Sequence, residues 1–514
     1  MFGCLVNNWN YLDGCDRILN FIERVQKMYI GIDLGTSAAK FLLMKKNGEI
    51  VKIVSKEYPL YMNEDGWSEQ NPADWWNAVK EGIKELTVSI DTSLINAVSF
   101  SGQMHGLVIL DENDNILRNA ILWNDQRTQK QCDYINGLGL DTIIDNTANI
   151  ALTGFTAPKI LWVKENEPEI FKKISKIMLP KDYIAYMLSG VFATDVSDAS
   201  GMLLLDVKNR RWSEYMMDLM GINETQLPKL FESYDVIGNI REEIAEEIGL
   251  NTNVKVVIGG GDQAVGAVGT GTVENNMCSV SLGTSGVVYV ASDKFKVKYG
   301  KDILHSFCDA TGKYHMMGVT LSAAGSNKWW MEEILKTNDN QAEQKNITEL
   351  GKNKVFFLPY LNGERSPHND PYAKGAFIGL SMTSSREDMT QAVLEGVAFS
   401  LRDSLETVRT LGIDVKKVRL TGGGAKSELW RNIAANIFNT DVEIINCEEG
   451  PAFGAAILAM AGDKAFESVE EAAKSLIQVT QTISPSAELV ELYNERYKVY
   501  KKFYPSLKEC FKEI

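Results

Sequence analysis

The sequence predicts an α/β protein built from two similar domains. A strand, the triplet Gly-Thr-Ser and a second β-rich run occur at residues 29–43 and again at residues 278–291, and the two triplets start 248 residues apart. Strand patterns alternate with helix patterns through both halves, which favours sheets covered by helices on both faces. We therefore expect an internal duplication, with one domain at residues 28–272 and the other at residues 273–514.

The first half begins with a β-meander. Its strand patterns fall at residues 28–34, 40–46, 50–58, 95–99 and 254–258. Asn47-Gly48 has the composition of a tight hairpin between the second and third strands. Asn71-Pro72 predicts the start of a helix, because Asn caps helix N-termini and Pro is favoured at the first helical position.

The second half continues the alternation of strands and helices. We expect a helix that begins at Trp329-Trp330, a helix at 386–411, a strand at 418–420, a helix from about Ser427, a strand at 441–445 and a last helix from Gly450. The two tryptophans are interpreted as packing residues, with contact to an adenine ring as the alternative. Glu364-Arg365 is interpreted as an internal ion pair.

Composition excludes several classes of protein. The chain has 514 residues, with 53 Lys and Arg against 68 Asp and Glu, so it lacks the dense basic face of a nucleic-acid binder. No apolar run approaches the ~18 residues of a membrane span. The seven Cys are scattered without a C-x-x-C pair, which suits the reducing cytoplasm, and the four His include no H-x-x-x-H pair for zinc. We expect a cytoplasmic protein that binds neither nucleic acid nor membrane. Residues 1–27 are interpreted as an N-terminal extension without a function.

Three glycine-rich turns follow strands. They are Gly35-Thr36-Ser37, Gly283-Thr284-Ser285-Gly286 and Gly422-Gly423-Gly424. Glycine allows the backbone to approach a ligand closely, so that successive N–H groups can point at phosphate oxygens. One such turn alone is most often only a turn. Three, of which two occupy duplicated positions, favour a nucleotide held between the domains. The sequence contains no P-loop motif, and the run at 266–271 has the wrong glycine spacing for a dinucleotide fold.

Two carboxylates stand next to these turns. Asp33 ends the first strand, where an anion would repel it unless Mg²⁺ lay between them; the alternative is a turn-capping Asp. Asp262 follows a strand and three glycines, at the carboxyl edge where α/β sheets place their sites. A plain N-cap of a helix that begins at Gln263 is equally compatible with the pattern around Asp262.

Several segments together resemble the FGGY family of carbohydrate kinases, and within it the xylulokinases. The resemblance covers about residues 28–505. It is carried by residues 29–40, 67–70 (WSEQ), 101–106, 121–127 (ILWNDQR), 154–162 (GFTAPKILW), 179–183 (LPKDY), 259–262, 281–286, 358–368 (LPYLNGERSPH) and 422–430. The run 102–106 (GQMHG) is the part most similar to xylulokinases. Gln263 departs from the Asn that xylulokinases often have after this Asp, which puts a direct sugar contact there in doubt.

The resemblance implies two domains of the actin, Hsp70 and hexokinase type, which is ribonuclease H-like, with the active cleft between them. It implies ATP and Mg²⁺ as cofactors, Asp33 as a metal-binding and catalytic residue, and Asp262 as the base that accepts the proton of a sugar hydroxyl. The residues implied to bind ATP are Gly35, Thr36, Ser37, Gly283, Thr284, Gly423, Gly424 and Ser427. Those implied to bind the sugar are Gln103, Met104, His105, Trp123, Asp262 and Gln263, with Asn124 and Asp125 as weaker candidates.

The activity that the resemblance implies is phosphorylation of D-xylulose to D-xylulose 5-phosphate by ATP, in pentose catabolism. Another sugar kinase of the family, acting on ribulose, a different ketose or a polyol, is the nearest alternative. A non-catalytic actin-like ATPase or a sugar sensor is the more distant one. The expected partners are therefore small molecules, and a homodimer is the expected oligomeric state.

Overall fold

The computed structural model describes residues 27–300, 304–447 and 449–514. Residues 1–26 lie outside the described part of the chain, so the interpretation of residues 1–27 as an extension is not tested. The first strong strand begins at Met28, as the sequence predicts.

The first half is organised around a seven-stranded mixed sheet. Its strands are β1 (Met28–Leu34), β2 (Ala38–Lys45), β3 (Ile50–Glu57), β4 (Ile95–Gly102), β5 (Val236–Asn239), β6 (Lys255–Val257) and β7 (Gly260–Gly261). They lie in the order β5-β6-β4-β1-β2-β3, and β7 also pairs with β4. The central strand β4 runs parallel to β1, β6 and β7.

The second half contains another seven-stranded sheet. Its strands are β8 (Met277–Leu282), β9 (Gly286–Ser292), β10 (His305–Cys308), β11 (Tyr314–Thr320), β12 (Lys417–Thr421), β13 (Asp441–Ile445) and β14 (Val479–Ile483), in the order β10-β11-β9-β8-β12-β13-β14. Short two-stranded ribbons complete the strands: Glu69–Gln70 with Ala120–Ile121, Val108–Leu110 with Lys176–Met178, Ala193–Asp195 with Lys229–Phe231, Leu205–Asp206 with Arg211–Trp212, and Phe356–Leu358 with Ala376–Ile378.

The two sheets repeat one topology, which confirms the predicted fold of two similar domains. In the first, β1 forms an antiparallel hairpin with β2 and runs parallel to β4, and β6 continues the parallel part. In the second, β8 forms a hairpin with β9 and runs parallel to β12, which runs parallel to β13. An antiparallel strand closes the same side of each sheet. A Gly-Thr-Ser triplet forms the hairpin turn in both.

Helices cover both sheets. They are α1 (Pro72–Leu86), α2 (Gln129–Gly137), α3 (Leu140–Thr147), α4 (Thr156–Asn166), α5 (Pro168–Phe171), α6 (Pro180–Ser189), α7 (Val196–Ala199), α8 (Glu214–Met220), α9 (Glu242–Ile248), α10 (Asp262–Gly269), α11 (Ala324–Trp329), α12 (Asn340–Gln344), α13 (Arg386–Thr410), α14 (Glu428–Phe438), α15 (Gly450–Gly462), α16 (Val469–Leu476) and α17 (Ala487–Phe511). Within the described ranges, none of the helices has the length and apolar character that a bilayer crossing requires.

Local sequence signals account for most element boundaries. The Asn71 side chain accepts a hydrogen bond from the N–H of Ala73 at 3.0 Å, which confirms the predicted cap of α1. The hairpin at Gly48 closes through its N–H to the Lys45 carbonyl at 2.9 Å. The prediction for Trp329-Trp330 is wrong, because α11 begins at Ala324 and ends at Trp329. Trp330 is buried and donates to Thr390 Oγ1 at 3.0 Å, so its assignment to packing is confirmed.

Helix α15 lies between β13 and β14 of the second sheet in the chain but packs against the first sheet. Its backbone approaches closely because glycines face it: a Cβ at Gly31 of β1 would lie 2.0 Å from the Ala452 carbonyl oxygen. A Cβ at Gly269 of α10 would lie 1.8 Å from the carbonyl oxygen of Gly450. Helices α10 and α15 therefore join the two halves through backbone contacts that leave no space for a side chain.

We predict that Gly31→Ala destabilises the protein, because the added methyl group meets backbone that cannot move aside. Overpacking of this kind costs about 1–3 kcal/mol. The control is Gly137→Ala, since a Cβ at Gly137 would meet nothing within 4 Å. Thermal unfolding followed by circular dichroism should show a lower midpoint for Gly31→Ala only. Equal midpoints for the two variants would contradict this description of the α15 contact.

Candidate active site

The ends of three neighbouring strands bring the two predicted carboxylates together. Asp33 of β1 is in register with Ser101 of β4, and Ser101 is also in register with Gly260 of β7. Asp262 follows β7 directly as the first residue of α10. Asp33 and Asp262 therefore lie at one edge of the first sheet, on either side of β4.

Asp33 is held by its neighbour on β4. Ser101 Oγ donates to Asp33 Oδ1 at 2.8 Å. Burial raises the pKa of Asp33 to about 6, and the Ser101 hydrogen bond and the Lys40 charge oppose the rise. Lys40 Nζ itself forms an ion pair with Glu449 Oε2 at 2.8 Å, between β2 and the start of α15. The site thus includes a link between the two halves that the sequence did not reveal.

Asp262 is the more strongly perturbed carboxylate. Burial raises its pKa to about 7 and the charge of Asp33 adds to the rise, while hydrogen bonds from the Gln263 backbone and side chain oppose it. Asp262 is not the N-cap of α10, because the helix starts at Asp262 and Gly261 is the cap. A carboxylate with a pKa near neutral pH is suited to accept and release a proton.

The first Gly-Thr-Ser turn is braced by buried amides. Gln103 Nε2 donates to the Gly35 carbonyl at 3.3 Å, and Thr36 Oγ1 donates to Gln103 Oε1 at 3.3 Å. Trp123 Nε1 donates to Thr36 Oγ1 at 3.0 Å, and Gln70 Nε2 donates to the Thr36 carbonyl at 2.7 Å. The structure thus engages Gln103 and Trp123 in supporting this turn. Their contact with a sugar stays a prediction.

Ser37 and Asp125 complete the set predicted near this turn. Ser37 is exposed at its tip. Asp125 is fully buried and accepts from the Ser68 N–H at 2.7 Å and from Arg127 Nε at 2.9 Å. These hydrogen bonds give Asp125 a structural role, and its contact with a sugar stays a prediction.

His105 has a defined tautomer. Its Nδ1 lies 2.7 Å from the Gly201 carbonyl oxygen. Because a carbonyl only accepts, the ring proton is on Nδ1 and Nε2 is left as a hydrogen-bond acceptor. Burial lowers the pKa of His105 to about 3, so the ring is neutral. Phe155 at 4.8 Å and Phe307 of the second sheet at 6.4 Å, measured between ring centroids, enclose it.

The Met104 side chain packs beside Gly261, the residue before Asp262. A Cβ at Gly261 would lie 3.0 Å from the Met104 side chain, and one at Gly201 would lie 3.1 Å from Met104 Cε. The glycine before Asp262 is thus needed for Met104 to pack there. Met104 therefore lies beside the residue that precedes Asp262, and contact of Met104 and His105 with a sugar stays a prediction.

The two turns of the second sheet lie side by side because β8 and β12 are parallel neighbours. Gly422 has φ +83°, and a Cβ there would lie 2.7 Å from the Leu282 carbonyl. The Thr284 carbonyl accepts from the N–H groups of Ala323 at 2.8 Å and Gly325 at 3.1 Å. Gly423 is open, since a Cβ on it would meet nothing within 4 Å.

Two cavities connect the first-sheet carboxylate to these turns. One, of about 500 Å³, has Asp262, Gln263, Gly422 and Gly423 in its lining. The other, of about 740 Å³, is lined by Gly423, Gly424 and Ser427. Gly423 borders both, so an elongated ligand can extend from Asp262 into the second half.

The larger cavity contains residues that the sequence did not indicate. Ser427 accepts from the Trp430 N–H at 3.1 Å as the N-cap of α14 and donates to Gln344 Oε1 at 2.6 Å. Gln344 lines the cavity together with Asn327 and Gln341. These polar residues come from segments without a recognisable motif, and only the folded chain places them around Ser427.

The predicted ion pair between Glu364 and Arg365 is wrong. The Glu364 carboxylate accepts from the backbone N–H groups of Leu321 at 3.1 Å and Arg365 at 2.7 Å, and from Ser400 Oγ at 3.2 Å. The Arg365 charge instead contributes to lowering the pKa values of His105 and His305. Arg365 was not predicted as a site residue; burial is the main cause that lowers the pKa of both imidazoles, and the Arg365 charge adds to it.

Comparisons with known proteins agree with this geometry. A model of the FGGY family of carbohydrate kinases, N-terminal domain, matches residues 28–269, and that of the C-terminal domain matches residues 278–462. The xylulose kinase of Bacillus subtilis is 41% identical over 489 residues, which cover 94% of this chain and 98% of that protein. The ligand-bound xylulose kinase of Lactobacillus acidophilus matches with a TM-score of 0.90 at 27% identity, over 95% of this chain and 99% of that one. The gluconate kinase of the same organism matches with a TM-score of 0.89 at 28% identity, over 95% and 99% of the two chains.

We predict that Asp262→Asn raises thermal stability at neutral pH. The pKa of Asp262 is about 7 in the folded protein, and an Asp in the unfolded chain has a pKa of about 3.9. The folded state therefore holds the proton more tightly, so this group's contribution to stability falls as pH rises from about 4 to about 7. Asn does not titrate and avoids this loss. The midpoint of Asp262→Asn should exceed that of the wild type at about pH 7.5, with a smaller difference at about pH 5.

The control for this comparison is Asp65→Asn, which removes the same charge from an exposed position. Its midpoint difference from the wild type should not grow with pH in the same way. If Asp262→Asn shows no greater pH dependence than Asp65→Asn, then Asp262 is not a carboxylate with a raised pKa.

Proposed function

The chain belongs to the FGGY family of carbohydrate kinases, and we propose that it transfers the γ-phosphoryl group of ATP to the C5 hydroxyl of D-xylulose. The observation that carries this proposal is the position of Asp262. Its carboxylate has a pKa of about 7 and lines the cavity that reaches the glycine turns of the second sheet. A hydroxyl bound beside it can lose its proton to Asp262 while its oxygen faces a phosphate held by those turns.

In the proposed step, the sugar oxygen forms a bond to the γ-phosphorus as the bond to the β–γ bridging oxygen breaks. The hydroxyl proton passes to Asp262, and the electron pair of the breaking bond leaves with ADP. Phosphoryl transfer of this kind depends mainly on positioning and on neutralisation of charge, and a positioned base contributes typically ~10²–10⁴ in rate. We assign positioning of the hydroxyl to Asp262, and neutralisation of charge on the phosphates to the N–H groups of the glycine turns.

ATP is proposed to lie along the two connected cavities. Its adenosine would occupy the larger one, beside Gly424 and Ser427, and its phosphates would follow Gly423 toward Asp262. Gly283 and Thr284 would contribute from the adjacent turn, and Gly35, Thr36 and Ser37 would approach the γ-phosphate from the first half. The open face of Gly423 supports this path, because backbone without a side chain admits a phosphate closely.

The residues present fit a Mg²⁺ ion that is bound mostly through phosphates and water. No group of three or more His, Cys, Asp or Glu that could hold a metal occurs among the described residues, and Mg²⁺ in kinases usually has only one or two carboxylate ligands. Asp33 is proposed as that ligand, since its Oδ1 is fixed by Ser101. Bound there, Mg²⁺ would supply charge neutralisation for the phosphates.

The sugar is proposed to lie between Asp262 and His105. His105 Nε2 is a neutral acceptor for a hydroxyl because Nδ1 is committed to Gly201. Met104 gives the pocket an apolar wall, and Gln263 beside Asp262 is proposed to contact the sugar with its longer amide. Gln103 and Trp123 are proposed to act mainly through the Thr36 turn that they support.

The fold does not decide which sugar is phosphorylated, because a gluconate kinase shares it. D-Xylulose is favoured by the full-length similarity to the xylulose kinase of Bacillus subtilis. Another sugar acceptor of the same family remains the second candidate. A non-catalytic ATPase or sensor is disfavoured by a base poised at neutral pH in the cleft. A cytoplasmic location is supported by the free thiols of Cys132, Cys278 and Cys308, and a homodimer stays a prediction.

We predict that D-xylulose is the preferred acceptor in a coupled ADP-release assay that also includes L-xylulose, D-ribulose, L-ribulose, D-gluconate and glycerol. His105→Ala should raise the KM for D-xylulose by at least about tenfold, because hydroxyl recognition is lost. The KM for ATP is the internal control and should change by less than about twofold. Equal activity on all acceptors would contradict the proposed substrate, and equal damage to both KM values would remove His105 from the sugar site.

A further inference from the structure

The segment GFTAPKILW, residues 154–162, contains a lysine that the proposed mechanism does not use. Lys159 is fully buried. Its ammonium donates to two backbone carbonyls, that of His105 at 2.9 Å and that of Gly154 at 2.6 Å. A buried charge held only by carbonyls is costly, so this arrangement requires an explanation beyond the stability of the lysine itself.

Lys181 is the other fully buried lysine among the described residues, and its charge is held in a different way. Lys181 forms ion pairs with Asp182 at 2.5 Å and Asp195 at 2.9 Å, so its charge is neutralised by contact. Lys159 has Asp125 only as a more distant charge, and burial lowers its pKa to about 7. An ion pair with a carboxylate therefore does not explain why Lys159 is buried.

His105, whose carbonyl Lys159 binds, has an unusual backbone. Its φ is +71°, in the left-handed region that residues other than glycine rarely adopt. Such a conformation persists only where neighbouring groups fix it. Thr156 Oγ1 donates to the same carbonyl at 3.1 Å, and the Gly201 carbonyl accepts from the ring. Backbone and ring are therefore held from two sides.

We propose that Lys159 is a positioning residue for the sugar acceptor. By binding the His105 carbonyl, Lys159 holds the residue in its left-handed conformation, and the ring then directs Nε2 into the cleft. Thr156 supports the same carbonyl in the same way. This inference rests on the proposed function in one respect, namely that His105 Nε2 contacts the acceptor.

The kinetic test uses Lys159→Met, which keeps the length of the side chain and removes its donors. Lys164→Met is the matched control, because Lys164 lies on the same helix α4 and donates to a different carbonyl, that of Met220, at 3.1 Å. Lys159→Met should raise the acceptor KM by about tenfold or more, with the ATP KM within about twofold of wild type and Lys164→Met unchanged. Unchanged acceptor KM, or equal rises in both KM values, would overturn the inference.

Thr156→Val keeps the inference testable if Lys159→Met does not fold. It removes one donor to the same carbonyl and should raise the acceptor KM by about threefold without affecting ATP. A Thr156→Val variant with wild-type acceptor KM would then count against the inference. The acceptor in each assay is the sugar that the wild type phosphorylates best, so a wrong substrate assignment does not alter the test.

A measurement without any sugar separates this inference from the proposed function. The chain has only four His, so ¹⁵N NMR of histidine-labelled protein can identify His105 by comparison with His105→Asn. The wild type should show a protonated Nδ1 that exchanges slowly, and Lys159→Met should lose this protection while Lys164→Met retains it. Retained protection in Lys159→Met would overturn the positioning role, even if the chain proved to phosphorylate D-xylulose.

Discussion

The cleft depends on two carboxylates that the fold keeps partly out of water at the edge of one sheet. Parallel pairing of β4 with both β1 and β7 forces Asp33 and Asp262 to neighbouring positions. Burial makes the charged forms of both carboxylates less favourable, and the charge of Asp33 adds to this effect at Asp262, so that the pKa of Asp33 is raised to about 6 and that of Asp262 to about 7. Burial of these carboxylates therefore gives the proposed base a pKa near neutral pH, and the same burial is expected to lower stability.

The duplicated sheets give the two halves different tasks with the same topology. The Gly-Thr-Ser turn of the first sheet is braced by Gln70 and Gln103 beside the carboxylates. The Gly-Thr-Ser turn of the second sheet lies against Gly422, and the next residue, Gly423, is open. Helix α15 then links the halves through contacts in which glycine is required by close backbone approach. The repeated topology thus brings Asp262 of the first half and Gly422 and Gly423 of the second half to one cavity.

The sequence predicted the parts of the site that depend on local patterns. Strand ends, glycine turns and the N-cap at Asn71 could be found because side-chain periodicity and cap chemistry act over a few residues. The family model and the relatives confirm the kinase family, and the residue roles stay predictions. Glu364 was misassigned because its partners include backbone N–H groups, which carry no sequence signal. Gln344 was missed because it reaches Ser427 only through the tertiary fold, and the bonds of Lys159 likewise appear only in the structure.

The role of Asp262 as the base is tested most directly by the pH dependence of kcat/KM for the sugar acceptor, measured between about pH 5 and pH 8.5. We expect kcat/KM to rise with pH through an apparent pKa near 7, which belongs to the Asp33 and Asp262 pair, and then to reach a plateau. The residual activity of Asp262→Asn should lack this rise. A flat wild-type profile over the whole range, or an identical rise in Asp262→Asn, would contradict the role of Asp262 as the base.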